Sequence, residues 1–476
     1  MNIENKKDLL SKKNLDEKLV LFKKIAYLLR NKSGSMFYPA ANVWESEFSI
    51  SELKRVWQRV ANQKNKKEIY DKIGLYFHIP FCNSKCFYCN CPSFPEKREK
   101  VYDQYIDCME KEIEIIDFPQ TVSLSTVYIG GGTPSILKVS QLERLLKLVH
   151  NKFNLEHCEQ IMMEVSPLTT SLDKLKLLNE YGVNKITIGA QTLDNDLLKK
   201  INRPQTREGV IETYKNARKT GIKYINIDLM AGLPGQKQDS FINSVNEVID
   251  LKPDTIHINP FFPSARTVFS KKGNEMSKDE FQRRKKLVNI AYQLIRKRLP
   301  NSIEKRGHKK ENLQLYNSSR KNCSVLGIGA QALSHAKNQA HYMKSFGFEK
   351  HKDYVSELKK EGFPKIVAYR LNKKEEMRGV VIKRLEEDEE IDINNFMKIF
   401  NENPLEVFHK ELSFLKTLGK LKISNGKIEM VSEKRMDSFL YSKFIYSPEV
   451  INKFEKLVDD DIDDLNFKLK TLYEAD

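Results

Sequence analysis

Along the chain, apolar positions gather into short continuous runs, and between the runs they recur every three or four residues. The runs predict buried strands at 74–80, 125–130, 160–166, 185–191, 223–230 and 255–261. The spaced stretches predict helices near 99–116, 138–152, 172–182, 205–220, 238–251 and 277–298. Such alternation implies a parallel sheet with right-handed crossovers, hence an α/β fold. About six units describe an open (β/α)6 partial TIM-type barrel rather than a closed eight-fold one. In that architecture the chemistry sits on loops at the C-terminal ends of the strands.

The pattern changes at both ends. Residues 1–70 read as a helical and irregular arm: Leu9, Leu10, Leu19, Leu21, Ile25, Leu28 and Leu29 form a helical stripe, and NKSGSMFYPAANVWES then breaks it at Gly34 and Pro39. Residues 71–335 hold the barrel. Residues 336–476 read as a further unit, with helical stripes at 374–386, 392–400 and 405–418. There Asn425-Gly426, set between alternating segments, signals a type I′ hairpin. Helices plus a hairpin suggest a winged-helix-like module.

Composition narrows the class. The 476 residues are 40% hydrophobic, with a mean hydropathy of −0.54, which fits a globular chain with ample core. The sequence shows no apolar run of membrane-spanning length, and MNIENKKDLLSKKNLDEK lacks the apolar core of a signal peptide, so a cytoplasmic protein is expected. Formal net charge is +17, from 81 basic and 64 acidic residues, carried mostly by lysine spread along the chain. That is the mark of a solvated surface, with a secondary reading as a field for an anionic substrate. Acidic runs at Glu386–Glu390 and from Asp459 to Asp464 would repel phosphates, so nucleic acid is not an expected partner.

The chemistry concentrates at one place. The chain has seven cysteines, and four of them, Cys82, Cys86, Cys89 and Cys91, follow the first barrel strand as C-x3-C-x2-C-x-C. Three thiolates on one short loop can face a common point and hold three corners of an iron–sulfur cube. Zinc is the rival metal, but its structural sites usually pair two separated knuckles, and the sequence has no second one. A disulfide cluster fits poorly with an odd cysteine count. Cys108 and Cys158, away from the loop, read as small apolar fillers.

Other polar groups stand where barrel strands end. Gly130-Gly131-Gly132-Thr133-Pro134 follows the second strand, and successive glycines allow a backbone to approach a ligand closely. Glu164 and Gln191 end the third and fourth strands, and the fifth carries Asp228, each at or near the end of an otherwise apolar strand. Burying any of them unpartnered costs roughly 2–7 kcal/mol, so they face a ligand or one another. His257, in the sixth strand, reads as a hydrogen-bonded strand histidine.

The cysteine spacing after a strand resembles the signature of the radical S-adenosylmethionine (radical SAM) superfamily. The flanking YFHIPFC and Cys91 are similar to enzymes of the oxygen-independent coproporphyrinogen III oxidase-like family, over roughly 250 residues. The resemblance implies a [4Fe-4S] cluster on Cys82, Cys86 and Cys89, with S-adenosylmethionine, possibly two molecules per chain, at the open iron. Cys91 matches a position that is not a ligand. The same resemblance implies that Tyr76, Gly131, Gly132, Thr133, Glu164, Gln191, Arg203, Asp228, Gly329 and Ala330 surround S-adenosylmethionine, and that SVLGIGAQALSH passes its backbone close to the nucleoside. It makes Tyr38-Pro39 the remnant of an arm over the active site, and the C-terminal module a substrate lid.

The implied activity is cleavage of S-adenosylmethionine to a 5′-deoxyadenosyl radical that abstracts hydrogen from a tetrapyrrole-type substrate, as in oxidative decarboxylation of coproporphyrinogen III. The alternative is a methyltransferase using two S-adenosylmethionine molecules on haem, a quinone or a peptide heterocycle; a haem chaperone is the third. Flavodoxin or ferredoxin is the implied reductant, and an anionic tetrapyrrole or other planar ring the implied substrate. Two departures weigh on that choice. The family's basic residue before the Tyr-Pro pair has no clear equivalent, and the basic, polar segment 299–322 carries neither the oxidase pattern nor the His-Asn motif of the chaperones.

Overall fold

Ile73–Ile79 is buried at every position, as a central parallel strand covered on both faces must be. It is the axis of a sheet seen in a computed structural model that describes residues 12–31, 38–62, 73–263, 267–271, 278–302, 323–345, 351–360, 362–386, 389–431 and 435–459. From the N-terminal side come helix α1 (Lys12–Asn31), strand β1 (Ser46–Glu47), α2 (Ile50–Asn62) and β2 (Ile73–Ile79). Two short strands, β3 (Phe81–Cys82) and β4 (Phe94–Pro95), bracket the cysteine loop. The repeating units then follow: α3 (Glu99–Ile116), β5 (Thr126–Gly131), α4 (Val139–Lys152), β6 (Gln160–Val165), α5 (Leu172–Glu180) and β7 (Lys185–Gln191). They continue with α6 (Asn195–Lys200), α7 (Arg207–Lys219), β8 (Tyr224–Ala231), α8 (Gln238–Leu251), β9 (Thr255–Pro260), α9 (Val268–Lys271) and α10 (Lys278–Arg298).

The six predicted barrel strands and their helices are all present, with bounds within two residues of the sequence reading. Strands β2, β5, β6, β7, β8 and β9 are neighbours in that order, every pair parallel. They form the open six-stranded barrel. Apolar side chains such as Leu75, Phe77, Ile129, Ile186, Ile227 and Val245 pack between strands and helices as one large core.

The sheet does not stop at residue 335. Strands β10 (Ser324–Ile328), β11 (Leu333–Ala336), β12 (Ala340–Lys344) and β13 (Ile366–Arg370) extend it beyond β2, and β1 closes the far edge, for eleven strands in all. β10 is parallel to β2; the rest of this extension is antiparallel. A boundary after 335 would cut the β11–β12 hairpin, whose register runs from Leu333↔Met343 to Ala336↔Ala340. The reading failed here because these strands are four or five residues long and carry buried Ser334, His335, His341 and Lys344, which hide the alternation. Helix α11 (His351–Lys360) links β12 to β13.

The C-terminal unit begins at α12 (Lys373–Glu386) and continues with β14 (Ile391–Asp392), α13 (Ile393–Phe400), α14 (Pro404–Val407), α15 (His409–Thr417), β15 (Leu421–Ser424), β16 (Lys427–Met430), α16 (Arg435–Tyr441) and α17 (Pro448–Asp459). The predicted hairpin is β15–β16, with Asn425 at φ 52° and Gly426 at φ 73°, as a type I′ turn requires. The arm belongs to this side of the molecule. Phe22, Ile25, Leu29, Tyr38 and Trp44 pack into the C-terminal core, and the Tyr38 hydroxyl meets Glu375 Oε2 at 2.8 Å. Tyr38 therefore seats in the C-terminal unit and does not line the cysteine cavity. Leu9 and Leu10, most of 299–322 and the acidic tail lie outside the described residues. Among the described residues, no helix is long and apolar enough to cross a membrane.

Candidate functional site

The cysteine loop is shaped by backbone hydrogen bonds before any ligand is considered. Phe94 N donates to Pro80 O (2.7 Å) and Glu96 N to Cys82 O (3.0 Å), closing the loop at its base. Cys89 N donates to Cys86 O (3.1 Å), which turns the second and third cysteines toward one side. Phe87 N on Ile201 O (3.0 Å) and Asn202 Nδ2 on Lys85 O (2.9 Å) tie the loop to the end of α6. Cys82, Cys86 and Cys89 thus line one cavity at the C-terminal edge of the barrel, together with Gly132, Thr133 and Arg203.

Each sulfur has a polar neighbour. Thr133 Oγ1 is 3.4 Å from Cys82 Sγ, Arg203 Nη1 is 3.6 Å from Cys86 Sγ, and Ser93 Oγ is 3.9 Å from Cys89 Sγ. A hydrogen bond from Cys91 draws the Cys89 thiol down to about 5; burial opposes this, and the Lys85 charge assists it. Burial raises Cys82, and the nearby charges of Cys89 and Cys86 add to the rise. Among the described residues, no three His, Cys, Asp or Glu side chains close on a point where a single metal ion could sit. Cys82, Cys86 and Cys89 share one cavity, and a cube offers each ligand a separate iron.

Two atoms test whether this space suits a further group. Arg203 Nε and Gln205 Oε1 are buried without a hydrogen-bond partner, and both residues line the cavity. Orphaned buried polar atoms are costly, so a polar ligand in the cavity would satisfy what the protein leaves open. The rest of Arg203 is firmly held: Nη1 donates to Tyr88 Oη at 2.9 Å and Nη2 to Gly189 O. Tyr88 is a site residue that the sequence reading missed; its place between two of the cysteines was the available signal.

The remaining expected residues divide into those near the loop and those turned inward. Glu164 is the penultimate residue of β6, accepting from Gly131 N (3.1 Å) and from the Tyr128 hydroxyl. Desolvation lifts its carboxyl to about 7; the Asp228 and Cys89 charges add to this, while its two hydrogen bonds oppose it. Asp228 accepts from Asn226 Nδ2 (2.6 Å) and lies 3.2 Å from His257 Nδ1. His257 is thus paired with a candidate site residue. Gln191 sits at φ 67° beside a register shift in the β7–β8 pairing, which turns the end of β7 at Arg203 and Gly189.

The glycines serve packing more than a ligand. A Cβ on Gly131, at φ 115°, would lie 2.7 Å from the His78 ring, and one on Gly132 would lie 2.7 Å from Phe81 O. Both positions let β5 close against β2 and the cysteine loop. Gly329 N donates to Glu112 Oε2 (2.9 Å) and Ala330 N to the Tyr105 hydroxyl (2.8 Å), so neither amide remains to offer a nucleoside. Tyr76 is buried too, with its hydroxyl 2.8 Å from His78 Nδ1 and its ring against Tyr128. Cys108 lies in the core and Cys158 packs against it.

Comparison with known proteins adds the following. The family described as the radical SAM superfamily matches residues 76–248. Proteins of that superfamily bind a [4Fe-4S] cluster and S-adenosylmethionine. The heme chaperone HemW of Lactococcus lactis is 36% identical over 196 residues, covering 41% of this chain and 51% of that protein. The oxygen-independent coproporphyrinogen III oxidase of Escherichia coli is 31% identical over 253 residues, covering 52% of each. The chain spans about half the length of the curated relatives it matches. Among solved structures, coproporphyrinogen III oxidase (HemN) from E. coli, a radical SAM enzyme, superposes with a TM-score of 0.66 at 22% identity. That match covers 82% of this chain and 92% of the other.

Proposed function

We propose, from the match of residues 76–248 to the radical SAM superfamily, that Cys82, Cys86 and Cys89 hold a [4Fe-4S] cluster and that S-adenosylmethionine binds beside it, for removal of hydrogen from an anionic tetrapyrrole-type substrate. The observation that carries this reading is one cavity lined by the three cysteines and by Arg203 and Gln205, each with an unpartnered buried atom. When bound, the cluster and S-adenosylmethionine supply one-electron chemistry that ends in hydrogen abstraction from an unreactive carbon.

The chain's own residues hold and orient. Thr133, Arg203 and Ser93 stand beside the cysteine sulfurs, and Arg203 Nε and Gln205 Oε1 offer a donor and an acceptor to a polar ligand. Glu164 and Gln191, at or next to the ends of β6 and β7, and Asp228, inside β8, present polar groups from neighbouring strands. Asn226 and His257 both engage Asp228 Oδ1, which leaves Oδ2 for a ligand hydroxyl or amine. The fold shared with coproporphyrinogen III oxidase and the net charge of +17 support a tetrapyrrole bearing carboxylates, and oxidative decarboxylation of a propionate as the reaction. With the Gly329 and Ala330 amides engaged internally, the reading with a second S-adenosylmethionine at that loop has less support.

The test is anaerobic incubation of reconstituted, reduced protein with methyl-deuterated S-adenosylmethionine and a panel of porphyrinogens, haem and quinones, followed by mass spectrometry. The expected result is carbon dioxide loss from a porphyrinogen with no deuterium in the product. Deuterium in any substrate would replace this reading with methyl transfer. Tight haem retention with S-adenosylmethionine left intact would replace it with haem carriage.

A further inference from the structure

Lys85 takes no part in the scheme above, yet its ammonium turns back into the cysteine loop. Nζ lies 2.8 Å from Cys91 O, 3.2 Å from Ser93 O and 3.0 Å from Ser93 Oγ, and Lys85 lines the same cavity as Cys82, Cys86 and Cys89. An ammonium has three N–H donors and no acceptor, so each of these contacts is a donation from Lys85. The Ser93 oxygen is therefore already an acceptor, and its own proton must point elsewhere. Ser93 is buried; its hydroxyl donates to Cys91 O at 3.4 Å, and its oxygen lies 3.9 Å from Cys89 Sγ and beside Cys82, so a thiolate-bound cluster would offer it sulfur acceptors as well.

We infer that Lys85 and Ser93 are positioning residues that deliver a positive charge and a hydroxyl donor to the Cys89 sulfur and raise the reduction potential of the cluster held there. The inference rests on the cluster assignment proposed above. Adding an electron increases the negative charge on a thiolate-bound cluster. A nearby cation and a donor aimed at a ligand sulfur stabilise that reduced form, and both are recognised levers on cluster potential.

The rival role is a brace, in which Lys85 only ties residues 85–93 together. A brace affects how much cluster the loop takes up; a tuning charge also moves the potential of the cluster that is taken up. The experiment is an EPR-monitored potentiometric titration of the anaerobically reconstituted full chain, with iron and sulfide measured in each sample. Lys85→Met removes donors and charge, Lys85→Arg keeps both, and Ser93→Ala removes only the hydroxyl. Lys85→Met is expected to make reduction about tenfold less favourable, equal to about 59 mV for a one-electron couple. Ser93→Ala should move the potential less in the same direction, and Lys85→Arg should stay near the parent.

Parent-like potentials in iron-replete Lys85→Met and Ser93→Ala would overturn the inference and leave the brace. If Lys85→Met takes up too little iron to titrate, Ser93→Ala decides: a lowered potential supports the relay, and an unchanged one overturns it. A parent chain that takes up no cluster would overturn the proposed function, and this inference with it.

Discussion

The two halves of the eleven-stranded sheet place their buried polar groups differently. On the parallel half, polar side chains gather at strand ends around the cysteines, and Arg203 Nε and Gln205 Oε1 are left without partners. On the antiparallel half the main buried groups are matched internally, although Asn338 Oδ1, in the β11–β12 turn, is also buried without a partner. Glu112 accepts from Lys344, from the Tyr354 hydroxyl (2.5 Å) and from Gly329 N, with the Glu112 and Lys344 side chains fully buried. His335 sits between Glu376 (3.0 Å) and His341 (3.1 Å), and His341 Nε2 lies 3.0 Å from Tyr38 O. The difference separates a binding region from a scaffold. Groups matched within the protein specify structure, whereas groups left unmatched around a cavity await a ligand.

That comparison is most severely tested on the matched side. Glu112→Ala should destabilise the chain by about 3–5 kcal/mol in urea unfolding, because it strands the Lys344 ammonium in the core. The double variant Glu112→Leu, Lys344→Met should recover most of that loss, since apolar replacements of similar volume often match a buried pair. If Glu112→Ala unfolds like the parent, the pair is not a scaffold element, and the contrast between the halves fails.

A smaller effect sharpens the comparison through pH. Burial holds His341 at about 3, below the ordinary 6.5; the His335 and Lys383 charges lower it further, while Glu376 and the Tyr38 carbonyl oppose them. A histidine depressed by folding contributes stability that is fully present above about 6.5 and is lost as pH falls from there toward 3. His341→Gln should therefore show a shallower loss of unfolding free energy over that window than the parent. Equal slopes would show that the histidine chain does not join the arm, the sheet and α12 as a neutral link.

Much of this contrast was legible in the sequence on the parallel side only. Each barrel strand is a run of apolar residues long enough to announce itself, and the cysteine spacing marked the loop that follows the first. Glu164, Gln191 and Asp228 could be singled out because each interrupts an otherwise apolar run. The antiparallel half gave no such signal. Glu112 lies in EKEIEII, where one more glutamate reads as a solvated helix face, and its partner Lys344 is 232 positions away. Such pairs are set by tertiary contact, and neither period nor propensity reports them. The glycines at 131, 132 and 329 were visible, but the reason for them was not: what a side chain there would strike is His78, Phe81 and Tyr105.

The central claim is that the cysteine cavity on the parallel half is a cluster site, and one measurement addresses it directly. Iron, sulfide and the EPR signal of the reduced protein are quantified for the anaerobically reconstituted parent and for Cys82→Ala, Cys86→Ala, Cys89→Ala and Cys91→Ala. The expected result is a [4Fe-4S] signal in the parent and in Cys91→Ala, and its loss in each of the other three with little change in thermal stability. A full cluster retained in Cys82→Ala, Cys86→Ala and Cys89→Ala alike would contradict the account.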